Sequence, residues 1–301
     1  RGRVGSADGY TLKTFGGIGG TSWDAGSFVL AYEHSEHGNL NGGGRAYILS
    51  DLRSAGGRDY RNSQCSPGTM LVGTNATPYA IPAGGVTPAT AGSLVANTRN
   101  LCENLRYADV LPSEERDSGY VYLTHDLFEN LTLSVEGIVS ARDYIAKAVQ
   151  QGSTSNIVDL AIPSTNPYFV RPVGSTATSV TVQYDFTPEL GLIDQTGFTR
   201  TIFGNLGLEW RVSDDWRIGI DALSTEDESA QKTRRIDNTV LTARRTSSNP
   251  ALAFNPFGGG NSQEVLDAIY SGIFNPYATS RTRGGSVQAD GSLWELPGGD
   301  M

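Results

Sequence analysis

The chain has 301 residues, of which 38% are hydrophobic and 37 are glycine, and its formal net charge is −9. Binding to nucleic acid requires clustered Lys and Arg, so the negative charge argues against a nucleic-acid partner. No run of about 18 apolar residues is present, which excludes membrane-spanning helices; membrane-spanning strands stay open, because they show only about 10 residues of alternation.

The first predicted elements are strands joined by tight turns. An arm over residues 1–5 turns at 6–9 into a second arm over 10–22. A third strand follows the turn at 24–26, because apolar residues recur at every second position from Phe28 to Tyr32. Alternation with period two is typical of a strand that has one apolar face.

Residues 37–117 lose this alternation and are rich in Gly, Ser, Thr, Asn and Pro, so they predict a long loop. Both cysteines, Cys65 and Cys102, lie in this loop and match no metal-binding spacing such as C-x-x-C. Their surroundings favour a disulfide over the alternative of a buried thiol pair. A disulfide would imply an oxidising compartment outside the cytoplasm.

Strands return at 119–124 and 131–140, where the alternation is cleanest. A second long loop is predicted over 142–197 and contains an extended piece at 177–188, which is either a membrane strand or a loop hairpin. A strand over 198–210 runs into the hairpin at 206–223. A third long loop is predicted over 225–280, and the last arm covers 281–295.

One short helix is predicted inside the third loop, over residues 262–270. Ser262 is a typical N-cap residue, and Glu264 follows in the first turn. Val265, Leu266 and Ile269 give the segment an apolar side.

All four tryptophans flank predicted tight turns. Trp210 and Trp216 bracket the turn at 212–215, Trp23 opens the turn at 24–26, and Trp294 precedes a Pro-Gly-Gly turn. A membrane barrel sets such amphipathic rings at the boundary of water and lipid, at the end where its strands are joined by short turns. The pattern therefore predicts an interfacial aromatic girdle formed by Trp23, Trp210, Trp216 and Trp294.

Short links alternate with long loops along the chain, which is typical of an outer-membrane barrel. The predicted fold is all-β: an antiparallel transmembrane β-barrel portion with long extracellular loops at about 37–117, 142–197 and 225–280.

Several short motifs resemble those of proteobacterial TonB-dependent outer-membrane receptors. They are Asp51-Leu52-Arg53, Asp59-Tyr60-Arg61, Cys65-Ser66-Pro67-Gly68-Thr69, the three Asn-Pro-aromatic triplets at 166–168, 255–257 and 275–277, the segment at 265–269 and the ending at 291–299. The resemblance implies a plug domain inside a barrel of roughly 22 strands, with energy delivered through an N-terminal segment that contacts TonB. With about eight or nine predicted strands, residues 1–301 would be the first part of such a barrel, cut from a longer chain and lacking the plug and the C-terminal strands.

The predicted function is uptake of a scarce ligand, of the siderophore, vitamin or oligosaccharide class, across the bacterial outer membrane by TonB-coupled transport. The predicted partners are outer-membrane lipid, lipopolysaccharide, the TonB system and a small-molecule ligand. We expect no enzymatic activity and no cofactor. The alternatives are a passive porin, an adhesin-type barrel, and a secreted all-β binding or hydrolytic module.

Candidate ligand-binding residues are aromatic and basic side chains of the predicted loops, since outer loops capture the ligand in the family: Tyr79, Tyr168, Phe169, Arg244, Arg245 and Tyr277. Packing within the loops is the alternative for the aromatic residues. Lipopolysaccharide phosphates and solvent are the alternatives for the arginines, including Arg234 and Arg235.

Other polar clusters carry weaker signals. Two histidines and two carboxylates lie in the segment 33–37, but His34 and His37 point to opposite faces of a strand, so no metal site is predicted. His125 has no Ser and Asp that can be assigned to it as a catalytic triad. Glu226, Asp227 and Glu228 are interpreted as a solvated loop, with a cation site as the alternative.

Overall fold

A computed structural model describes residues 1–7, 9–104, 107–148, 157–292, 295–296 and 299–300. It is mostly antiparallel sheet, with 55% strand and 12% helix. The strands are β1 (Gly2–Ala7), β2 (Tyr10–Trp23), β3 (Gly26–His37), β4 (Leu40–Asn41), β5 (Thr69–Val72), β6 (Thr77–Ala80), β7 (Asp109–Leu111), β8 (Ser113–Phe128), β9 (Leu131–Ala148), β10 (Ile157–Pro163), β11 (Ser179–Asp185), β12 (Ile193–Arg211), β13 (Arg217–Arg235), β14 (Gly272–Phe274), β15 (Tyr277–Asp290), β16 (Glu295–Leu296) and β17 (Gly299–Asp300). The α-helices are α1 (Thr187–Leu190), α2 (Asn238–Thr246) and α3 (Gln263–Ile269).

The large sheet is nine-stranded, in the order β1-β2-β3-β8-β9-β12-β13, with β14 and β15 both pairing with β13. Every pair is antiparallel, and the long strands β12 and β13 pair continuously from Gln195↔Thr233 to Arg211↔Arg217. The sheet is not closed. The all-β class is therefore as predicted, whereas closure into a barrel is not seen in the part of the chain that the structure describes.

The two faces of the large sheet differ in chemistry. Residues paired directly across an antiparallel sheet share a face, so the register assigns Leu30, Val121, Gly137 and Gly204 to one face, which we call the apolar face. Its exposed apolar side chains are Val4, Phe15, Trp23, Leu30, Tyr32, Val139, Ile145, Ile202, Leu206, Trp210, Ile220, Tyr277 and Val287.

The opposite face, which we call the polar face, carries hydroxyl, amide and acidic side chains interrupted by a few apolar ones such as Ile138 and Leu223. Hydroxyl groups bond across neighbouring strands on this face, as in Ser118 Oγ with Ser140 Oγ at 3.3 Å and Thr201 Oγ1 donating to Asp227 Oδ1 at 2.7 Å. The two faces therefore differ in their predominant chemistry, one apolar and the other polar.

The tight turns after β2, β8 and β12 all lie at the same end of the strands of the large sheet, because Gly26 pairs with His125 and Trp210 pairs with Leu131. The long connections after β3, β9 and β13 lie at the opposite end of the strands. The prediction that short turns and long loops lie at opposite ends of the strands is wrong for the β1–β2 hairpin. Its short turn lies at the same end as the long connections. This turn lies there because Ala7 pairs with Tyr10, close to where Leu12 pairs with His37.

Each of the three long loops is shorter than predicted, because the strands continue into polar sequence. Strand β8 begins at Ser113, β9 ends at Ala148, β12 begins at Ile193, β13 ends at Arg235 and β15 begins at Tyr277. The segment of β13 from Thr225 to Gln231 has no apolar alternation, yet most of it pairs with β12 on one side and β15 on the other. Backbone hydrogen bonds on both sides hold it extended without a buried face.

The long connections are not structureless. Residues 62–104, 157–190 and 236–271 fold against one another, and we call them the loop module. Its four-stranded sheet has the order β10-β11-β5-β6. The main hydrophobic core of the described chain lies here: Met70, Val72, Ile81, Val86, Ala91, Val158, Leu160, Ile162, Val170, Val180, Val182, Tyr184, Phe186, Ile236, Leu241, Phe254, Phe257, Val265, Leu266 and Ile269.

Two predictions about the loops are settled by the loop module. The extended piece at 177–188 forms β11, which pairs with β10 and β5 and belongs to the loop module. The predicted helix at 262–270 is confirmed as α3, and the Ser262 side chain accepts a hydrogen bond from the Val265 amide as its N-cap. No helix in the described part of the chain is long and apolar enough to cross a bilayer.

Candidate functional site

A groove of about 480 Å³ lies between β10 and α2 in the loop module. Strand β10 is the outer strand of its sheet, and α2 packs beside it through Leu241, whose side chain is buried. Asp237 starts the helix, since its carboxylate accepts hydrogen bonds from the amides of Thr239 and Val240. The groove is lined by Gln64, Ile157, Val158, Asp159, Leu160, Asn238, Leu241, Thr242 and Arg245.

Arg245 is the cation of this groove. Its Nη1 atom donates a hydrogen bond to the Ala161 carbonyl, and its own carbonyl accepts one from Asn166 Nδ2 at 3.0 Å. Within the ranges that the structure describes, neither Arg244 nor Arg245 forms an ion pair with a carboxylate. The guanidinium of Arg245 is therefore held in place with its charge available.

Asp159 is the anion of the groove and was missed by the sequence analysis, together with Gln64 and Asn238. Gln64 Nε2 donates to Asp159 Oδ1 at 3.0 Å. No short motif links Asp159 to Arg245, because they meet only through the packing of α2 on β10. The Asp-Asn pair at 237–238 was the available signal, as an N-cap placed before Val240 and Leu241.

The predicted ligand-binding residues do not form a single site. Tyr168 and Phe169 pack against the core of the loop module, and Tyr168 Oη donates to the Pro250 carbonyl at 3.0 Å. Tyr79 pairs with Met70 in the β5–β6 hairpin and also packs against the core. Tyr277 was predicted in a loop; it begins β15 on the large sheet and is 59% exposed.

Two of the three Asn-Pro-aromatic triplets are turns closed by the asparagine. Asn166 Oδ1 accepts the Tyr168 amide at 2.9 Å, and Asn255 Oδ1 accepts the Phe257 amide at 3.0 Å. The proline that follows each asparagine has no amide hydrogen. The amide of the aromatic residue after it therefore donates to the asparagine side chain. These motifs therefore have a structural role.

Both Asp-x-Arg motifs meet in one charged network. Arg53 binds Asp51 through Nε at 2.8 Å and Nη2 at 2.7 Å, and Arg61 binds Asp59 with Nη2 at 2.8 Å. Cross pairs of 3.5 and 3.6 Å connect the two units. The hydrogen-bonded guanidinium groups hold the pKa of Asp51 and of Asp59 below the usual range of a carboxyl group.

Cys65 and Cys102 are joined by a disulfide, which ties the two ends of the segment that carries β5 and β6. The Asn62 amide and carbonyl also pair with the backbone of Cys102. The loop module is thus cross-linked next to the point where Cys65 meets Tyr184 of β11.

His34 and His37 lie on opposite faces of β3 as predicted, since they pair with Asp117 and Glu114, respectively. On the apolar face His34 Nδ1 lies 2.9 Å from Asp117 Oδ1, and Glu115 is close by. The sequence analysis missed this cluster because its carboxylates lie on a strand distant in sequence.

Glu226 and its neighbours are on β13, so the prediction of a solvated loop at 226–228 is wrong. Arg281 Nη2 donates to Glu226 Oε1 at 2.7 Å on the apolar face. Arg200 binds Asp143 on the same face, with Nη2 at 2.7 Å from Oδ2. We call these groups, with His34 and Asp117, the charged band. On the central strands most of the apolar side chains lie between this band and the tight turns, and Ile145 lies beyond it.

The tryptophans partly follow the predicted arrangement. Trp23 and Trp210 lie on the apolar face, at the end of the strands where the tight turns are. The Trp23 Nε1 atom donates to His125 Nδ1 at 3.3 Å. Trp216 ends the β12–β13 turn and is half-buried. Trp294 falls outside the described residues.

Comparison with protein-family models finds no model that matches this chain, and no curated protein matches it.

Proposed function

We propose that this chain forms part of the wall of an outer-membrane barrel that acts as a TonB-dependent receptor for a scarce small ligand, without covalent chemistry. One observation carries the proposal. The large sheet turns most of its exposed apolar side chains to one face, with Ile18, Ile138 and Leu223 on the other. The main hydrophobic core lies elsewhere, in the loop module. Contiguous apolar surface of this extent is typical of a membrane or partner interface.

The length of the apolar stretch supports lipid as the partner. On β12 the apolar face carries only Leu208, Leu206, Gly204 and Ile202 between Trp210 and the charged Arg200. About ten residues at roughly 3.4 Å each, tilted by about 45°, give an apolar band of roughly 25 Å, which is the height of the lipid-facing band of outer-membrane barrels.

The positions of the short turns and the long connections support an orientation of the sheet in the membrane. The tight turns beside Trp23 and Trp210 suit the periplasmic side of the membrane. The long connections that form the loop module suit the outer side, where a ligand is captured. The receptor class itself rests on the resemblance of the short motifs to TonB-dependent receptors.

Two neighbouring residues of β9 provide a test of the lipid-facing surface. Val139 lies on the apolar face and Ser140 on the polar face. Arginine at position 139 is expected to weaken partitioning of the chain from urea into phospholipid vesicles by about 2–4 kcal/mol. Arginine at 140 is the matched control, expected to change partitioning by less than about 1 kcal/mol; equal effects at both positions would contradict a lipid-facing surface.

Transport has its own test. Cells that produce the protein are expected to lose high-affinity uptake when TonB is removed. Uptake that persists without TonB would favour a passive porin. A chain that is monomeric and melts cooperatively without detergent would favour a secreted module.

A further inference from the structure

Among the described residues, the outer edge of β10 has no strand partner at Asp159 and Ala161, and this part of the edge faces the groove. Its other edge pairs with β11, with Val158 opposite Tyr184 and Leu160 opposite Val182. The Ala161 carbonyl accepts a hydrogen bond from Arg245 of α2, so it points away from β11. Because peptide groups of a strand alternate between its two edges, the amide and carbonyl of Asp159 point into the groove as well.

The direction of the β11 peptide groups agrees with this assignment. The Asp185 amide donates to the Cys65 carbonyl at 3.1 Å, on the side of β11 that is turned towards β5. Gln183 and Thr181 share this direction, since they lie two and four residues before Asp185. Their partners on β10 are Asp159 and Ala161, which therefore form the pairs without ladder hydrogen bonds.

Open strand edges are normally covered or blocked, because they template the addition of another strand. In the described part of the chain, no partner is seen for the outward amides of Asp159 and Ala161. An open edge beside a helix is a geometry that binds extended peptides by strand addition. Asp159 and Ala161 are followed by Pro163, which limits the addition to the stretch that contains these two residues.

The positive charge of Arg245 in the groove favours a peptide that carries a carboxylate. Arg245 holds a fixed guanidinium with no carboxylate partner among the described residues, at the Ala161 end of the edge. A carboxylate of the peptide can bind there, and Thr242 and Asn238 supply further polar groups along α2.

We propose that the groove binds an extended peptide, which pairs with the outer edge of β10 and places a carboxylate on Arg245. A peptide whose terminal carboxylate reaches Arg245 runs parallel to β10, because Ala161 lies towards the C-terminal end of the strand. The inference names a ligand class for the loop module and rests on the proposed function only for the side of the membrane from which the peptide arrives.

The probe is an acetylated hexapeptide of alternating Thr and Val with a free terminal carboxylate. Binding to the full chain in detergent micelles is measured by calorimetry and by amide hydrogen exchange. We expect binding that slows exchange at Asp159 and Ala161. The same peptide as a terminal carboxamide is expected to bind about tenfold more weakly, and one N-methylated at alternate residues should not bind. Absence of protection at both amides at millimolar peptide would overturn the proposal, as would equal binding of the N-methylated peptide.

Variants separate the groove from general effects. Arg245→Ala is expected to weaken the carboxylate peptide about tenfold and leave the carboxamide peptide unchanged. Arg244→Ala is the matched control, since Arg244 does not line the groove. Thr242→Trp fills the groove from α2 without altering β10, and it should abolish binding of both peptides. Binding is measured in micelles, so a chain that fails to insert into vesicles but binds the peptide would refute the membrane proposal alone.

Discussion

Two asparagines, Asn166, which is buried, and Asn100, which is half-buried, hold the loop module together where no strand or helix provides partners for the backbone. Asn166 is 2% exposed, and its Nδ2 donates to the carbonyls of Arg245 and Phe254, each at 3.0 Å. Asn100 donates in the same way to the carbonyls of Pro67, Gly68 and Ile81. Each side chain satisfies carbonyls from segments distant in sequence, so each connects loops that would otherwise separate.

Asn166→Asp is expected to destabilise the loop module by about 3 kcal/mol. The substitution removes both donors and places a negative charge beside two carbonyl oxygens, leaving buried polar groups unsatisfied. Denaturant unfolding, monitored by amide exchange in the module, measures the loss.

Asn249→Asp is the matched control for this substitution. Asn249 Oδ1 accepts the Ala251 amide at 3.0 Å in a similar turn, but the residue is exposed. A carboxylate can keep this bond in water, so we expect a change below about 0.5 kcal/mol. Equal losses for the two variants would refute the role assigned to the buried donors.

Asp185 makes the loop module sensitive to pH. Burial raises the pKa of this carboxyl above its value in the unfolded chain. The folded state therefore holds the proton more tightly than the unfolded state does. The contribution of Asp185 to the stability of the module is fully present below the unfolded pKa of about 3.9 and is lost as the pH rises through the raised pKa.

Asp185→Asn is expected to remove this loss. Asn104 Nδ2 donates to Asp185 Oδ2 at 3.2 Å, while Asn104 Oδ1 has no partner among the described residues, so rotation of the Asn104 amide can satisfy an asparagine at 185. Thermal melts between pH 4 and pH 7 compare the two proteins. Parallel pH profiles would show that Asp185 does not titrate as assigned.

At the scale of elements, two loops of the module cross backbone to backbone. Gly85 and Gly258 both have positive φ, and a Cβ on Gly258 would lie 2.4 Å from the Gly85 Cα. The Val86 amide donates to the Phe257 carbonyl at 2.8 Å beside the crossing. Only glycine satisfies both the backbone conformation and the close approach.

Gly258→Ala is expected to cost about 3 kcal/mol, through left-handed backbone strain and displacement of the neighbouring loop. Gly92→Ala is the control, because a Cβ at Gly92 meets nothing within 4 Å and its φ is not positive. Chemical denaturation gives both values. A loss below about 1 kcal/mol at position 258 would mean that the two loops move apart easily.

At the scale of the whole molecule, the disulfide and the large sheet stabilise different parts. Cys65 and Cys102 lie 37 positions apart, and the segment between them belongs to the loop module. Closing a loop of this length restricts the unfolded chain, so the double variant Cys65→Ala with Cys102→Ala should destabilise the module by about 4 kcal/mol. Limited proteolysis is expected to cut faster within 62–104 and at an unchanged rate within β9 and β12. Faster cutting in all of these segments would show that the molecule unfolds as one unit.

Local sequence was sufficient for the strands with clean alternation. Leu131 to Ser140 and Ile218 to Ala222 show period two, and both are strands whose apolar residues share one face. It was insufficient where strands run through polar sequence, as from Thr225 to Arg235, because the pairing partners rather than the side chains hold those residues extended. Helix α2 was missed since its apolar positions are few.

By itself, the sequence determined the antiparallel β class, the tight turns beside Trp23 and Trp210, and the short helix capped by Ser262. Each of these depends on residues adjacent in the chain, whose spacing gives the period or the cap. Tertiary structure alone decided that the long connections form a module with its own core, and that Asp159 and Arg245 line one groove. Those contacts join segments far apart in sequence, and no local pattern encodes which of them meet.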